Sequence, residues 1–202
     1  RTKMEKDGKE YYDWGKLKVI LEDLFNGKHQ TIFYGPPGTG KTFIAKKIGE
    51  NIYEGNFTIV VFHPSYSYEE FIQGIKPKLK GGKMSFSLQD GVFMKLIKTA
   101  KKYKKEHHLL IIDEINRGQT TAIFGELMNV LEYRGEEGKV DLTYQKEGEE
   151  TEKIWIPKNL HIIGTMNTAD KDTAQPLDYA LRRRFTFNRF YPDKTKLDEK
   201  SK

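Results

Sequence analysis

Five apolar runs alternate along the chain with segments of helical periodicity. The runs suited to buried strands span residues 30–34, 57–62, 109–114, 160–165 and 185–190. Helical patterns occupy residues 17–25, 43–48, 68–72, 91–105, 120–132 and 177–183. Continuous apolar strands separated by helices are typical of a parallel sheet that is covered on both faces and binds ligands at the carboxyl ends of its strands. The predicted fold class is therefore α/β, with a five-stranded parallel sheet.

Two further segments predict antiparallel structure. Residues 74–90 contain Gly81-Gly82 and an alternating run, which indicates a loop or a small hairpin. Residues 133–158 alternate around a glutamate- and glycine-rich turn, which predicts a β-hairpin insertion at about 135–158. Residues 1–13 are polar and we expect them to be flexible. Residues 193–202 are predicted to be a polar tail or the start of a linker.

Composition narrows the class of protein. The 202 residues are 37% hydrophobic and 32% charged, and no apolar run approaches the roughly 18–20 residues that a membrane-spanning helix needs. The N-terminal residues lack the apolar part of a signal peptide, and a chain that starts with arginine suggests a fragment of a longer protein. The absence of cysteine excludes a disulfide framework and a thiolate metal site. We expect a cytoplasmic protein without a membrane partner.

The net charge of +6 is concentrated in one segment. The lysines there are Lys95, Lys98, Lys101, Lys102, Lys104 and Lys105. A basic patch of this kind can contact nucleic acid. The apolar residues between the lysines have helical spacing, however, which favours the solvated face of an ordinary amphipathic helix.

A phosphate-binding loop follows the first strand. Its residues are Gly35, Pro36, Pro37, Gly38, Thr39, Gly40, Lys41 and Thr42, which match G-x-x-x-x-G-K-[ST] between a strand and a helix. Glycines let the backbone turn its amides inward, and a helix N-terminus adds positive dipole. We expect Lys41 to reach the β- and γ-phosphates and the Thr42 hydroxyl to coordinate Mg²⁺.

Two acids end the strand at residues 109–114. Asp113 is predicted to hold Mg²⁺ through its water shell, and Glu114 to position and deprotonate the attacking water. A strand-end acid pair that only caps a turn is the alternative, which the upstream P-loop makes less favourable. Asn167, after a strand placed between the two motif strands, can bind the γ-phosphate or the lytic water. It can equally be a turn residue.

Three arginines, Arg182 to Arg184, close the last predicted helix. Cations at a helix C-terminus are the ordinary explanation. Three in a row exceed what the helix dipole requires, so we expect one or two of them to act as an arginine finger on a neighbouring subunit's phosphates.

These motifs resemble those of AAA+ ATPases and, more specifically, of the McrB family, the GTP-hydrolysing subunits of McrBC methylation-dependent restriction systems. Residues 62–72, 111–117, 166–170 and 177–185 carry the resemblance, which extends over about residues 14–191. Lys171 stands where the family signature has arginine, and lysine lacks the planar bidentate fork.

The resemblance implies an AAA+ large α/β subdomain over residues 14–192, with the helical lid apparently absent. It implies GTP rather than ATP, Mg²⁺, a hexameric ring and an McrC-like endonuclease partner. Family DNA recognition lies in an N-terminal domain without a counterpart here, so DNA would be reached through that domain or the assembled complex. Arg183 and Arg184 match the arginine-finger segment, and Asn167 the γ-phosphate sensor.

Three alternatives stay open. An ATP-using AAA+ remodeller of the MoxR or dynein-related type would run the same chemistry on another base. A nucleotide-binding scaffold would assemble on a partner without turnover, although Glu114 argues against it. A DNA-binding module would show salt-dependent binding by this fragment alone. We expect no DNA cleavage by this chain, since its sequence shows no nuclease constellation.

Overall fold

The computed structural model describes residues 5–6, 9–10, 14–144, 153–168 and 177–190. The strands in chain order are β1 (Glu5–Lys6), β2 (Lys9–Glu10), β3 (Gln30–Gly35), β4 (Phe57–Val61), β5 (Gln73–Lys80), β6 (Lys83–Asp90), β7 (His108–Asp113), β8 (Val140–Asp141), β9 (Lys153–Ile154), β10 (Leu160–Asn167) and β11 (Thr186–Arg189). The helices are α1 (Trp14–Asp23), α2 (Lys41–Asn51), α3 (Tyr68–Phe71), α4 (Val92–Lys102), α5 (Thr120–Phe124), α6 (Leu127–Val130) and α7 (Tyr179–Arg182). Single turns cover Leu24–Lys28, Ile115–Arg117 and Glu136–Gly138.

The central sheet has the order β11–β3–β10–β7–β4, and all four pairings are parallel. The predicted five-stranded parallel sheet is therefore confirmed. Strand β10 lies between β3, which leads into the P-loop, and β7, which ends at Asp113. In register, Asn167 is opposite Gly35. Three strand ends that carry candidate chemistry thus meet at one edge of the sheet.

Both faces of the sheet are buried, as the continuous apolar runs predicted. Alternate side chains along each strand supply opposite faces. Ile32, Leu110, Ile112 and Ile162 belong to a core with α4, α5 and α6. Phe33, Leu109, Ile111 and Ile163 belong to a second core with α1 and α2. Packing on both sides fixes the sheet as a rigid platform for its carboxyl-end loops.

The segment predicted as a loop or small hairpin is an extended two-stranded hairpin. Strands β5 and β6 pair antiparallel over their full eight residues each, with Lys80 opposite Lys83. Gly81 and Gly82 have φ values of 57° and 74°, the conformation of a tight two-residue hairpin turn that glycine favours. The second predicted hairpin is confirmed where β8 pairs with β9; its tip, residues 145–152, lies outside the described residues.

The prediction of one helix over residues 120–132 is wrong. Two short helices, α5 and α6, are separated at Gly125, which has φ 49° and ψ −131°. A Cβ atom at this position would lie 2.8 Å from the Tyr68 ring. The Tyr68 ring of α3 therefore packs against this glycine where any other residue would place its side chain, and the periodicity alone does not show this contact.

Helix α4 has the amphipathic form that its sequence favoured. Its buried side is formed by Phe93, Met94, Leu96, Ile97 and Ala100. Most of the lysines of this segment are exposed, and Lys98 pairs with Asp90 at 2.8 Å. The terminal segments predicted to be flexible or polar tails lie largely outside the described residues, apart from the short β1–β2 pair.

Candidate nucleotide-binding site

The loop between β3 and α2 has the backbone geometry that its glycines predicted. Gly38 and Gly40 have φ values of 76° and 80°, in the left-handed region that side chains disfavour. Gly40 is the N-cap of α2, so the loop passes directly into the first helical turn. Thr39 Oγ1 donates a hydrogen bond to the Pro36 carbonyl at 2.9 Å. A turn of this kind at a helix N-terminus is suited to bind an anion.

Gly35 is required by the sheet. A Cβ atom there would lie 1.8 Å from the carbonyl oxygen of Phe190, just after β11. The Phe190 amide donates to the Tyr34 carbonyl at 2.7 Å. The first glycine of the motif therefore lets the outermost strand pass close to the start of the loop.

Lys41 lies inside the loop and is only 5% exposed. Its Nζ donates hydrogen bonds to the carbonyls of Gly35 at 3.0 Å and Pro36 at 2.7 Å. Burial lowers the pKa of Lys41, and the nearby carboxylates of Glu114 and Asp113 oppose that shift. The ammonium group is thus held between loop carbonyls and the two acids at the end of β7.

One oxygen of Asp113 joins the end of β7 to helix α2 and to strand β10. Its Oδ1 accepts hydrogen bonds from Thr42 Oγ1, at 2.6 Å, and from Thr165 Oγ1. Asp113 therefore faces the P-loop. The Thr42 hydroxyl and the Asp113 carboxylate are adjacent hard oxygen groups, which Mg²⁺ binds together with waters and phosphate oxygens. The two residues predicted to hold the metal fit a magnesium ion.

Glu114 is held by three contacts in an unusual backbone conformation. Its φ of 54° and ψ of 45° are left-handed, which costs a non-glycine residue on the order of 1–2 kcal/mol. The Glu114 amide donates to Thr165 Oγ1 at 3.2 Å. Its Oε1 accepts from Asn167 Nδ2, and Arg117 Nε lies 3.4 Å from Oε2. Backbone strain at such positions is typical of functional sites.

Three residues of this site were missed by the sequence reasoning. Thr165 bonds both Asp113 and the backbone of Glu114, Arg117 pairs with Glu114, and Asn116 Nδ2 lies 3.5 Å from the Asn167 carbonyl. Thr165 is two residues before Asn167 on β10, so strand alternation would have placed both side chains on one face. No comparable spacing signal pointed to Arg117 or Asn116, which lie in the turn after β7.

The two predicted arginine-finger residues have different environments. The Arg183 side chain is 55% exposed, and its Nη2 lies 3.3 Å from Glu132 Oε2. The Arg184 side chain is 4% exposed. Its guanidinium donates to the Ala180 carbonyl at 2.6 Å and contacts the same Glu132 oxygen at 3.2 Å. The Arg183 side chain is thus open to solvent, whereas that of Arg184 is directed into the protein.

Part of the signature that the sequence matched cannot be placed. Residues 169–176, which include Asp170 and Lys171, lie outside the described residues. No helix in the described ranges has the length and apolar character needed to cross a bilayer.

Comparison with known proteins assigns the family. Residues 30–185 match the model of the AAA domain, dynein-related subfamily. The chain belongs to this AAA family. Over 178 residues it is 44% identical to the Type IV methyl-directed restriction enzyme EcoKMcrB subunit of Escherichia coli K12, covering 85% of this chain and 37% of that protein. It is therefore an McrB-like AAA+ protein.

Two other proteins are similar to this chain. Over 193 residues the chain is 33% identical to the Type II restriction enzyme BsuMI component YdiS of Bacillus subtilis 168, covering 77% of this chain and 55% of that protein. A crystal structure of a Cytophaga hutchinsonii protein shares the fold, with a TM-score of 0.51, 19% identity, and coverage of 90% of this chain and 48% of that one. The chain thus spans about a third to half the length of the proteins that it matches.

Proposed function

We propose that this AAA+ domain hydrolyses a nucleoside triphosphate, with GTP preferred over ATP, and that hydrolysis drives DNA translocation by a modification-dependent restriction complex. One observation carries the hydrolytic part: Asp113 bonds Thr42 of the P-loop while the adjacent Glu114 accepts a hydrogen bond from Asn167. A phosphate-binding loop, a metal-binding acid and an oriented general base are therefore joined at one sheet edge. The preference for GTP rests on the likeness to McrB.

The loop residues Gly35 to Thr42 would bind the triphosphate through backbone amides and Lys41. The ammonium group of Lys41 exchanges its bonds to loop carbonyls for phosphate oxygens, which compensate its charge better. Thr42 and Asp113 would hold Mg²⁺, which neutralises charge on the phosphates when bound. Positioning and charge neutralisation are most of what phosphoryl transfer requires.

Glu114 is proposed to accept a proton from the attacking water. Asn167 contacts one carboxylate oxygen of Glu114, and Arg117 contacts the other. The two contacts together orient the carboxylate. Asn167 also lies beside Gly35 in the sheet register, where its amide can sense the γ-phosphate. Glu114 would then hold the attacking water beside the γ-phosphate.

Arg183 is proposed to complete the site of a neighbouring subunit. Its exposed guanidinium and its position at the end of α7 support this role. Arg184 would support it from within its own subunit, because Glu132 contacts both side chains. A site completed in trans requires a homo-oligomer, and the likeness to McrB suggests a hexameric ring with an McrC-like endonuclease subunit that stimulates turnover.

The decisive measurement is hydrolysis of GTP and ATP by the protein, with and without an McrC-like endonuclease subunit. We expect GTP to be the better substrate. We also expect Glu114→Gln to keep nucleotide binding while lowering kcat about 100-fold or more. A Glu114→Gln protein as active as the wild type would overturn the assigned base.

The second candidate is an ATP-dependent remodeller, which the dynein-related family match favours. It uses the same residues, so only the base preference and the partner separate the two. Higher kcat/KM for ATP, with no response to the endonuclease subunit, would replace the restriction assignment by this one. Nucleotide binding without measurable turnover of either substrate would favour an assembly scaffold.

A further inference from the structure

A second concave site lies at the edge of the sheet opposite the P-loop, with a cavity of about 960 Å³. His29 directly precedes β3, His107 directly precedes β7, and His161 is the second residue of β10. These are amino ends of the strands, and a six-residue strand rises about 20 Å. The cavity is therefore separate from the nucleotide site. We call it the aromatic basin, lined by Phe25, His29, His107, Trp155 and His161.

Rings dominate the walls of the aromatic basin. His161 is stacked against His29, with ring centres 5.7 Å apart, and against His107, with centres 5.4 Å apart. His161 is 1% exposed, and its Nδ1 is 2.7 Å from the Tyr53 hydroxyl. His107, by contrast, is exposed. A fixed internal ring thus supports a solvent-facing one, which provides a planar surface at the opening.

The rim of the aromatic basin is positively charged. Lys101, Lys104 and Lys158 line it, and Glu136 is the acidic residue among its lining side chains. Lys101 Nζ lies 3.2 Å from the centre of the Trp155 ring. Such a cation over an indole orders both groups at the opening.

The buried guanidinium group of Arg134 adds positive charge near the aromatic basin. Arg134 donates to the Leu160 carbonyl at 2.9 Å and to Gln30 Oε1, and neither partner is charged. Among the described residues no carboxylate pairs with it. Burial lowers the pKa of Arg134 to about 9. Burial, followed by the charges of Arg134 and Lys158, lowers the pKa of His29 to about 4. An anion would find excess positive charge here.

Only some of the lysines between residues 95 and 105 line the aromatic basin. Lys101 and Lys104 line it, whereas Lys95 and Lys102 are exposed elsewhere on α4 and Lys98 pairs with Asp90. The solvated-face explanation therefore holds for part of the run only. The remaining part faces stacked rings, and this combination of cations with aromatic surfaces is the one that binds phosphate-linked bases.

We propose that the aromatic basin binds a phosphate-bearing nucleobase, supplied either by a nucleic-acid strand or by a free nucleotide. Lys104 and Lys158 would contact the phosphate, and the base would stack on His107. The volume lies within the range of ligand sites of this size. This binding is independent of triphosphate hydrolysis at the opposite edge of the sheet.

The test uses Trp155 as a local reporter. The chain has two tryptophans, so Trp14→Phe leaves Trp155 alone. The full chain is titrated at fixed salt with a short oligodeoxythymidylate, with thymidine monophosphate and with inorganic phosphate. We expect the oligonucleotide or the monophosphate to quench Trp155 saturably. Lys41→Ala, which removes a P-loop phosphate contact, should leave this quenching unchanged and so separates the proposal from the hydrolytic function.

Matched charge reversals locate the site. Lys104→Glu with Lys158→Glu should weaken binding about 10-fold or more and reduce the salt dependence by about one phosphate contact or more. Lys95→Glu with Lys102→Glu makes the same change of net charge outside the aromatic basin and should alter affinity less than about threefold. His107→Ala should weaken binding roughly 5- to 150-fold, the range for loss of a stacked base.

Each outcome decides the proposal. Quenching by the oligonucleotide alone supports a strand as the ligand, and quenching by the monophosphate as well supports a free nucleotide. Equal loss in both double variants would mean general attraction of polyanions and would overturn the assigned site. Binding of phosphate without either base-containing ligand, or no quenching by any of the three, would overturn it too.

Discussion

The side-chain amide of Asn167 donates a hydrogen bond to Oε1 of Glu114. The donor lies at the carboxyl end of β10, and the acceptor follows β7 in a left-handed backbone conformation. Two adjacent parallel strands thus fix the orientation of one carboxylate. This contact links the residue proposed to sense the γ-phosphate with the residue proposed to activate water.

Removal of the Asn167 amide should impair turnover more than binding. We expect Asn167→Ala to lower kcat about 100-fold, the typical cost of one preorganised donor in a catalytic site, while nucleotide affinity changes little. Steady-state kinetics and equilibrium nucleotide binding check this. Asn188→Ala is the control, because Asn188 bonds Thr31 within the sheet at 2.9 Å, away from the site. Unchanged kcat in Asn167→Ala would contradict the role.

Arg183 and Arg184 should separate into a trans-acting residue and a structural one. We expect Arg183→Ala to lower turnover about 1000-fold or more if it acts as a finger, with little change in thermal stability. Mixing it with inactive Lys41→Ala subunits should restore part of the activity, since the intact Arg183 of a Lys41→Ala subunit completes the site of a neighbouring Arg183→Ala subunit. Lack of recovery, with both variants in the same oligomers, would argue against action in trans.

Arg184→Ala should instead lower stability. Its buried guanidinium bonds Ala180 and Glu132, so truncation leaves a cavity and polar groups without partners. We expect a loss of about 2 kcal/mol or more in the free energy of unfolding, measured by chemical denaturation. Arg182→Ala, at an exposed neighbouring position, should change that free energy by less than about 0.5 kcal/mol.

Gly35 should tolerate no side chain, for reasons unrelated to nucleotide. Gly35→Ala would place a Cβ atom 1.8 Å from the Phe190 carbonyl oxygen, so β11 must move. We expect destabilisation of about 3 kcal/mol or more without any ligand. Gly55→Ala is the control: its φ is 85° and nothing lies within 4 Å, so its cost should be about 1–2 kcal/mol. Equal unfolding free energies for the two variants would contradict this packing.

Stability should fall as the solution becomes acidic, through His29 and His161. Burial, the first cause, lowers the pKa of His161 to about 3 and that of His29 to about 4 in the folded protein. The unfolded chain binds protons near pH 6.5 whereas the folded chain does not, so stability is complete above pH 6.5 and decreases below it. Between its folded pKa and pH 6.5, each histidine lowers the free energy of unfolding by about 1.4 kcal/mol for every unit by which the pH falls.

Denaturation measured between pH 5 and 7.5 tests this linkage. This range extends above and below pH 6.5, the pKa at which the histidines titrate in the unfolded chain. His161→Phe should reduce the slope of unfolding free energy against pH by about one proton, whatever its effect on absolute stability. Ile163→Val, at a buried position of the same strand without a titratable group, is the control and should leave the slope unchanged. The same slope in His161→Phe and wild type would mean that other groups cause the acid sensitivity.

Local sequence signals accounted for most elements and for the separate parts of the site. The runs of β3, β7 and β10 were recognisable because both faces of a parallel sheet are buried. The P-loop was recognisable because left-handed glycines and a lysine at fixed spacing are needed at one short turn. The break at Gly125 escaped because helical periodicity does not report the φ of one glycine, and the Tyr68 ring packed against it is distant in sequence.

The amino-acid sequence by itself determined the α/β class, the phosphate-binding loop and the acids that end β7, since each depends on a short local pattern. Only the tertiary structure decided that Thr165 joins Asp113 to Glu114, that Arg184 is buried while Arg183 is exposed, and that Lys101 of α4 borders a histidine stack. These relationships depend on which strands become neighbours and on side-chain packing between distant segments. Spacing along the chain carries little information about either.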